Sequence, residues 1–140
     1  MYQKGYKSLI VWQKGFQLAI EIYLLTKQFP VDERFNLVSQ MRRSVVSVIS
    51  NLAEGFTRKS TGEYINFTSY SRGSCAELET QLLLSFELKY ISKSNFEKLH
   101  SLWEEIAKML YVLEQKLEQK KKALSPKPYA LRPISNTSPD

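Results

Sequence analysis

Residues 40–63 read Q-M-R-R-S-V-V-S-V-I-S-N-L-A-E-G-F-T-R-K-S-T-G-E, and this segment decides the fold because one helix ends in it and the next begins. Its first half repeats apolar residues at spacings typical of an amphipathic helix. Gly55 is a residue type at which helices commonly end. Ser60 and Glu63 have the spacing of a capping box, which begins a new helix. The segment therefore predicts two helices joined by a short turn, over about residues 37–54 and 61–90.

Two more helices flank this pair. Ser8 can cap a first helix over about residues 9–28, which a Phe-Pro pair then ends. Ser94 and Glu97 repeat the capping box and begin a last helix that reaches about residue 122. The last helix carries an apolar stripe typical of a bundle seam: Phe96, Leu99, Trp103, Ile106, Leu110, Leu113 and Leu117. Since no strand pattern persists, the sequence predicts an all-α fold, an antiparallel up-down four-helix bundle.

The composition changes near the C-terminus, and the charge changes with it. Residues 1–123 form the predicted bundle, whereas residues 124–140 are rich in Pro and Ser and are predicted to be a disordered tail. The net charge is +6, of which residues 116–140 contribute +4 and residues 1–115 only +2. A basic tail adds nonspecific attraction to polyanions. The run Lys120, Lys121, Lys122 is more often the solvated end of a helix.

The residues needed for catalysis or metal binding do not occur in a recognised pattern. His100 is the one histidine, and no second ligand stands at metal spacing from it. Cys75 is the one cysteine, which excludes an intrachain disulfide and favours a reducing cytoplasm. Glu77 and Glu79 are two residues apart on a helix, so they point about 160° apart and form no acid/base pair. The sequence predicts a noncatalytic cytoplasmic protein with no metal, no cofactor and no membrane span.

The two adjacent arginines of the second helix lie on different faces. Arg42 flanks the apolar face, where its stem can pack while its guanidinium reaches a carboxylate of the third helix. We predict a structural ion pair between Arg42 and Glu77 or Glu79. Arg43 lies at the centre of the polar face, beside Ser47. It is a candidate for a phosphate contact or, equally, for a contact between subunits.

Further cations surround the turn between the second and third helices. Arg58 and Lys59 lie in this turn, next to the N-terminus of the third helix, where an anion would be favoured. Arg72 follows on the third helix and belongs either to a basic surface or to an interface ion pair. Aromatic residues lie between these cations and could stack on bases, although such residues more often belong to a core: Tyr64, Phe67 and Tyr70.

Two helices are more apolar than a small monomer requires. Leu82, Leu83 and Leu84 point about 100° apart and cannot all face one core. Residues 109–113, M-L-Y-V-L, cover the whole circumference of the last helix. We therefore expect the extra apolar surface to pack against another subunit, or else to be a tolerated apolar surface.

Three blocks of the sequence carry a family resemblance: Y-K-S-L-I-V-W-Q-K, S-Q-M-R-R-S-V-V-S-V-I-S-N-L-A-E-G-F-T-R-K-S and S-R-G-S-C-A-E-L-E-T-Q-L-L-L. Over about residues 6–120 the chain resembles the bacterial four-helix-bundle family encoded in intervening sequences of large-subunit ribosomal RNA genes. That family includes the accessory variability determinant of diversity-generating retroelements. The chain departs from it at Val48 and Ser50, where relatives commonly carry a proline.

The resemblance implies a basic homopentamer, and for the retroelement members it implies nucleic-acid binding and a reverse transcriptase partner. Six residues occupy the family's characteristic polar positions: Arg42, Arg43, Glu54, Arg58, Lys59 and Glu77. The leading hypothesis is phosphate binding to RNA or DNA by Arg43, Arg58, Lys59 and Arg72. The alternative is an oligomeric protein-interaction scaffold whose arginines are consumed by salt bridges.

Overall fold

The computed structural model describes residues 4–125, and this part of the chain is helical. Four α-helices follow one another, and two short 3₁₀ turns lie at Gly5–Ser8 and Val31–Glu33. The helices are α1 (Ile10–Thr26), α2 (Leu37–Phe56), α3 (Thr61–Glu87) and α4 (Lys93–Leu124). The prediction of an all-α fold with four helices is confirmed. The predicted tail lies outside the described residues from residue 126 onward.

Contacts between neighbouring helices show that they run in opposite directions. On α1 and α4, Lys14 pairs with Glu105 and the later Glu21 pairs with the earlier Lys98. The serine hydroxyls between α2 and α3 give the same order: Ser71 donates to the Val48 carbonyl, and Ser85 faces Met41. The chain therefore returns to the same end of the bundle after every second helix. This end holds the α2–α3 turn, the start of α1 and the end of α4.

The core comes from the apolar stripes that the spacing predicts. Leu99, Ile106, Leu110 and Leu117 of α4 are buried, and the intervening members of its stripe are partly buried. Side chains from all four helices complete the interior. The largest fully buried apolar side chains are Leu18, Ile22, Met41, Val45, Leu52, Leu78, Leu82, Ile106 and Leu110.

Three predicted helix ends are wrong in detail. Ser8 does not cap α1, because its hydroxyl donates to the Gly5 carbonyl at 2.7 Å inside the preceding 3₁₀ turn. Ser94 does not cap α4, since Ser92 two residues earlier accepts a hydrogen bond from the Asn95 amide at 3.1 Å. Gly55 does not end α2, which continues to Phe56.

Gly55 has a packing role instead. A β-carbon there would lie 2.8 Å from Cβ of Phe67 and 3.0 Å from Cδ1 of Tyr64. Both atoms are held by the α3 backbone or a packed ring and cannot move away cheaply. The glycine is therefore what allows α2 and α3 to approach each other at the turn. The predicted cap of α3 is confirmed, because Ser60 accepts a hydrogen bond from the Glu63 amide at 3.1 Å.

Candidate nucleic-acid interface

The turn between α2 and α3 holds its arginine against the bundle. Thr57 closes α2 by donating its hydroxyl hydrogen bond to the Glu54 carbonyl at 2.7 Å. Arg58 then forms an ion pair with the Glu54 carboxylate, and its guanidinium lies 4.9 Å from the centre of the Phe67 ring. The cation is partly neutralised and partly stacked. Its side chain remains 38% exposed.

Lys59 is the exposed cation of the same turn. Within residues 4–125 it makes no ion pair. It directly precedes Ser60, the capping residue of α3, so it lies next to a helix N-terminus. Backbone amides at such a terminus carry partial positive charge, which adds to that of the lysine.

The end of α4 brings additional lysines to this turn. The Lys121 ammonium lies 3.7 Å from where a β-carbon on Gly62 would stand, in the first turn of α3. Lys120 and Lys122 are its neighbours in sequence and are exposed. Two basic segments far apart in sequence therefore meet in space. We call this surface the basic end and define it by five residues: Arg58, Lys59, Lys120, Lys121 and Lys122.

Arg43 lies away from the basic end. It is exposed on α2 and makes no ion pair among the described residues. It precedes Gly55 by twelve residues, which is about 18 Å along the helix axis. Its neighbour one turn later, Ser47, shares a hydrogen bond of 2.7 Å with Ser74 of α3. Arg43 therefore belongs to the outer surface along α2 and α3.

Arg72 lies on another side of the bundle. It forms an ion pair with Glu114 of α4, and its guanidinium is 5.4 Å from the centre of the Tyr111 ring. The side chain of Glu114 is largely buried in this contact. The four residues predicted to bind nucleic acid thus do not form one patch. Arg58 and Lys59 stand together, while Arg43 and Arg72 lie on separate faces.

The ion pair predicted for Arg42 is not formed. Its Nε donates to the Thr26 hydroxyl at 3.0 Å and one Nη donates to the Tyr23 carbonyl at 3.2 Å, both on α1. The guanidinium also lies 4.7 Å from the centre of the Tyr23 ring. The helical wheel correctly placed Arg42 on the flank of the apolar face, but that flank faces α1. Neither α3 carboxylate lies at this flank, since Glu79 contacts His100 on α4 and Glu77 is exposed.

The two carboxylates proposed as partners are occupied differently. Glu79 lies 2.8 Å from Nε2 of His100 on α4, and the imidazole is stacked between Phe96 and Trp103. Glu77 is exposed and makes no ion pair within residues 4–125. His100 therefore joins α3 to α4 through a polar contact that the sequence alone did not indicate.

Cys75 is buried beside the same contact. Burial, and secondly the negative charge of Glu79, raise the pKa of the Cys75 thiol from 9.0 to about 12. The Trp103 indole donates a hydrogen bond of 2.7 Å to the Cys75 carbonyl and covers the site. A thiol in this state stays protonated at neutral pH and is a poor nucleophile.

The aromatic residues near the cations divide into packed and exposed ones. Tyr64 is half-buried beside Gly55, and burial raises the pKa of its phenol. Phe67 packs edge-to-face on Tyr70, which is 58% exposed. Of the three predicted stacking residues, Tyr70 is therefore the one whose ring is most open to a base.

Comparison with known families decides the classification. The family described as 23S rRNA-intervening sequence protein matches residues 7–112. The chain belongs to this family. A similar solved structure is a protein of unknown function from the S23 ribosomal protein family of Bacteroides thetaiotaomicron. It has 25% sequence identity and a TM-score of 0.71, and the match covers 76% of this chain and 96% of that one. No curated protein matches the chain.

This assignment confirms the resemblance to the family encoded in ribosomal RNA intervening sequences, whereas the link to diversity-generating retroelements stays a prediction. The family match ends at residue 112 and does not include Lys121, whose position is known from the structure alone. The sequence alone favours a solvated helix end for Lys120–Lys122. The up-down topology places the end of α4 beside the turn that joins α2 and α3, and this is why Lys121 lies near that turn.

Between residues 4 and 125, no helix is both long enough and apolar enough to cross a membrane.

Proposed function

We propose that this protein is a noncatalytic, homo-oligomeric bundle of the cytoplasm that binds nucleic acid through phosphate contacts at the basic end. One observation supports the proposal most directly: the Lys121 ammonium lies against the first turn of α3, beside the turn that carries Arg58 and Lys59. The five cations outnumber the carboxylates of the same segments, which are Glu54, Glu63 and Glu118, and this excess favours a polyanion held through its phosphates. The expected binding is therefore strong at low salt and indifferent to sequence.

Salt-dependent binding of an RNA hairpin tests the proposal. The full chain is titrated into a labelled hairpin from about 50 to 200 mM salt, alongside a Lys59→Ala/Lys121→Ala variant. Each phosphate contact adds about 0.9 to the slope of log affinity against log salt on a duplex, so the slope should fall by about 1.8. The matched control is Lys27→Ala/Lys93→Ala, which removes the same charge at the opposite end of the bundle. Equal slopes in the two double variants would refute the basic end as the binding surface.

The arginines support a second candidate, a protein-interaction scaffold without nucleic-acid binding. Arg58 is paired with Glu54 and Arg72 with Glu114, so two of the four predicted phosphate ligands already have carboxylate partners. Absence of hairpin binding at 50 mM salt, with the oligomer intact, would favour the scaffold. For the nucleic-acid-binding candidate, the family resemblance supplies a protein partner, a reverse transcriptase, and direct binding of the purified proteins tests that partner.

Exposed apolar side chains on α1 support the oligomer. Phe16, Ile20 and Leu24 are each about half exposed along one side of this helix. Covering them would remove apolar area from water. Light scattering should give an oligomer, a pentamer according to the family resemblance, that Ile20→Glu/Leu24→Glu breaks. Val31→Glu/Phe35→Glu, at two exposed apolar residues outside α1, is the matched control. A monomeric wild-type chain would end the oligomer proposal.

A further inference from the structure

An apolar groove lies between the first turn of α1 and the second half of α4. It has a volume of about 400 Å³. Ile10 is 58% exposed and Val112 is 48% exposed, so the apolar floor is open to solvent. The side chains that line it are Ile10, Val11, Lys108, Met109, Val112, Leu113 and Lys116.

The groove exists because α1 is shorter than the helix it packs on. Lys14 stands beside Glu105. Helix α1 begins at Ile10, four residues before Lys14, which places Ile10 opposite Met109. Helix α4 continues past that point to Leu124. No α1 residue therefore covers α4 beyond Val112, and an apolar surface that a longer first helix would bury is left uncovered.

The rim of the groove is basic. Lys108 and Lys116 are eight residues apart, about 12 Å along α4, and Val112 lies midway between them on the same face. Among the described residues neither lysine forms an ion pair, and the lining contains no carboxylate. Glu105 is held by Lys14 at 3.2 Å, and Glu104, one turn before Lys108, makes no ion pair with it among the described residues.

An apolar floor between two unpaired lysines fits a partner with the reverse pattern. We propose that this groove binds an amphipathic helix of another protein whose apolar stripe is flanked by acidic residues. The spacing of the lysines corresponds to about two helical turns, so apolar side chains one turn apart would enter the floor while carboxylates meet the rim.

Charge complementarity favours an acidic helix over two other occupants, which are the C-terminal segment of the same chain and a nucleic acid. Residues 126–140 of the same chain carry Lys127 and Arg132 against Asp140, so that segment has the same sign as the rim. A nucleic-acid backbone would find two cations here, but the apolar floor offers no partner to its phosphates. The groove is also distinct from the basic end, because none of its lining residues belongs to that surface.

Peptide binding tests the proposal by charge exchange. The probe is a labelled helical peptide of about sixteen residues with leucines one turn apart flanked by glutamates, and its counterpart carries lysine at each glutamate. Fluorescence anisotropy with the full chain should show the acidic probe binding at least tenfold tighter than the basic one. Lys108→Glu/Lys116→Glu should reverse that preference, whereas Lys27→Glu/Lys93→Glu, with the same change in net charge, should preserve it.

A smaller substitution tests whether the apolar floor contributes to binding. Val112→Ala, on an exposed helix surface, should weaken the acidic probe about threefold or more without altering the circular dichroism spectrum. Equal binding of the two probes, or a preference unchanged by Lys108→Glu/Lys116→Glu, would overturn the proposal. So would a change in the oligomer mass in that variant, because the occupant would then be a second copy of this chain.

Discussion

The seam between α2 and α3 and the seam between α1 and α4 enclose the same core with different side chains. The α2–α3 seam uses small groups: Gly55 against Phe67, and buried hydroxyls such as Ser71, which donates to the Val48 carbonyl at 2.7 Å. The α1–α4 seam uses long charged groups, including Lys14 with Glu105. Small groups bring two helices into close contact and fix their register. Long ones reach across a gap and leave grooves that another molecule can fill.

The largest expected effect comes from opening a cavity at the α2–α3 seam. Leu78 is 0% exposed, and Leu78→Ala should lower the free energy of unfolding by about 2 to 5 kcal/mol. Val112→Ala, in the α1–α4 groove, should cost less than about 1 kcal/mol because its side chain is already half in water. Urea denaturation measures both. Equal losses would show that the two seams do not differ.

Two glycines, one on each of α2 and α3, provide a second test. Gly55→Ala should destabilise by about 1 to 3 kcal/mol, because the new β-carbon would overlap Phe67. Gly73 lies on the exposed side of α3 with nothing within 4 Å of a β-carbon. Gly73→Ala should therefore stabilise by about 0.5 to 1 kcal/mol through helix propensity. If both substitutions stabilise, close approach at Gly55 is not required.

The dependence of stability on alkaline pH reports the burial of the Cys75 thiol on α3. Because the pKa of Cys75 is raised from 9.0 to about 12, the folded state keeps a proton that the unfolded state loses. Stability should be unaffected below pH 9 and fall as pH rises toward 12, by about 1.4 kcal/mol per pH unit. Comparison with Cys75→Ala separates the contribution of this thiol to the pH dependence from the contributions of lysines and tyrosines. Parallel stability curves of the two proteins between pH 8 and 11 would contradict it.

Alkylation extends the same comparison to the groove. Cys75 should resist iodoacetamide at pH 8, whereas Val112→Cys in a Cys75→Ala background should react at the rate of an open thiol. Similar rates would mean that the two positions are equally accessible.

The smallest effect concerns the pairs that span each seam. A double-mutant cycle on Lys14 and Glu105 should give a coupling below about 1 kcal/mol that disappears at high salt. The cycle on Ser47 and Ser74 should give about 0.5 to 1.5 kcal/mol, independent of salt, because this hydrogen bond is neutral and partly buried. The reverse salt dependence would contradict the assignment.

Local patterns predicted the elements of this fold, and contacts between helices decided what they could not. The apolar stripe of α4 and the Ser60 cap follow from spacing alone, and both are confirmed. The Arg42 partner was wrong because a helical wheel gives a residue's angle but not which neighbouring helix lies at that angle. Gly55 looked like a helix end, although its small size is needed against Phe67. Lys121 joined the candidate site only once the topology was known.

Four helices of alternating direction return the chain to the end where it started. The described residues begin at Lys4 and finish at Ser125 on the side of the bundle that carries Lys59. A fluorophore attached at Lys4 or Ser125 would stand near the basic end and obstruct the polyanion that is proposed to bind there. A label placed at the opposite end, at Lys89, which is exposed between α3 and α4, would leave that approach open.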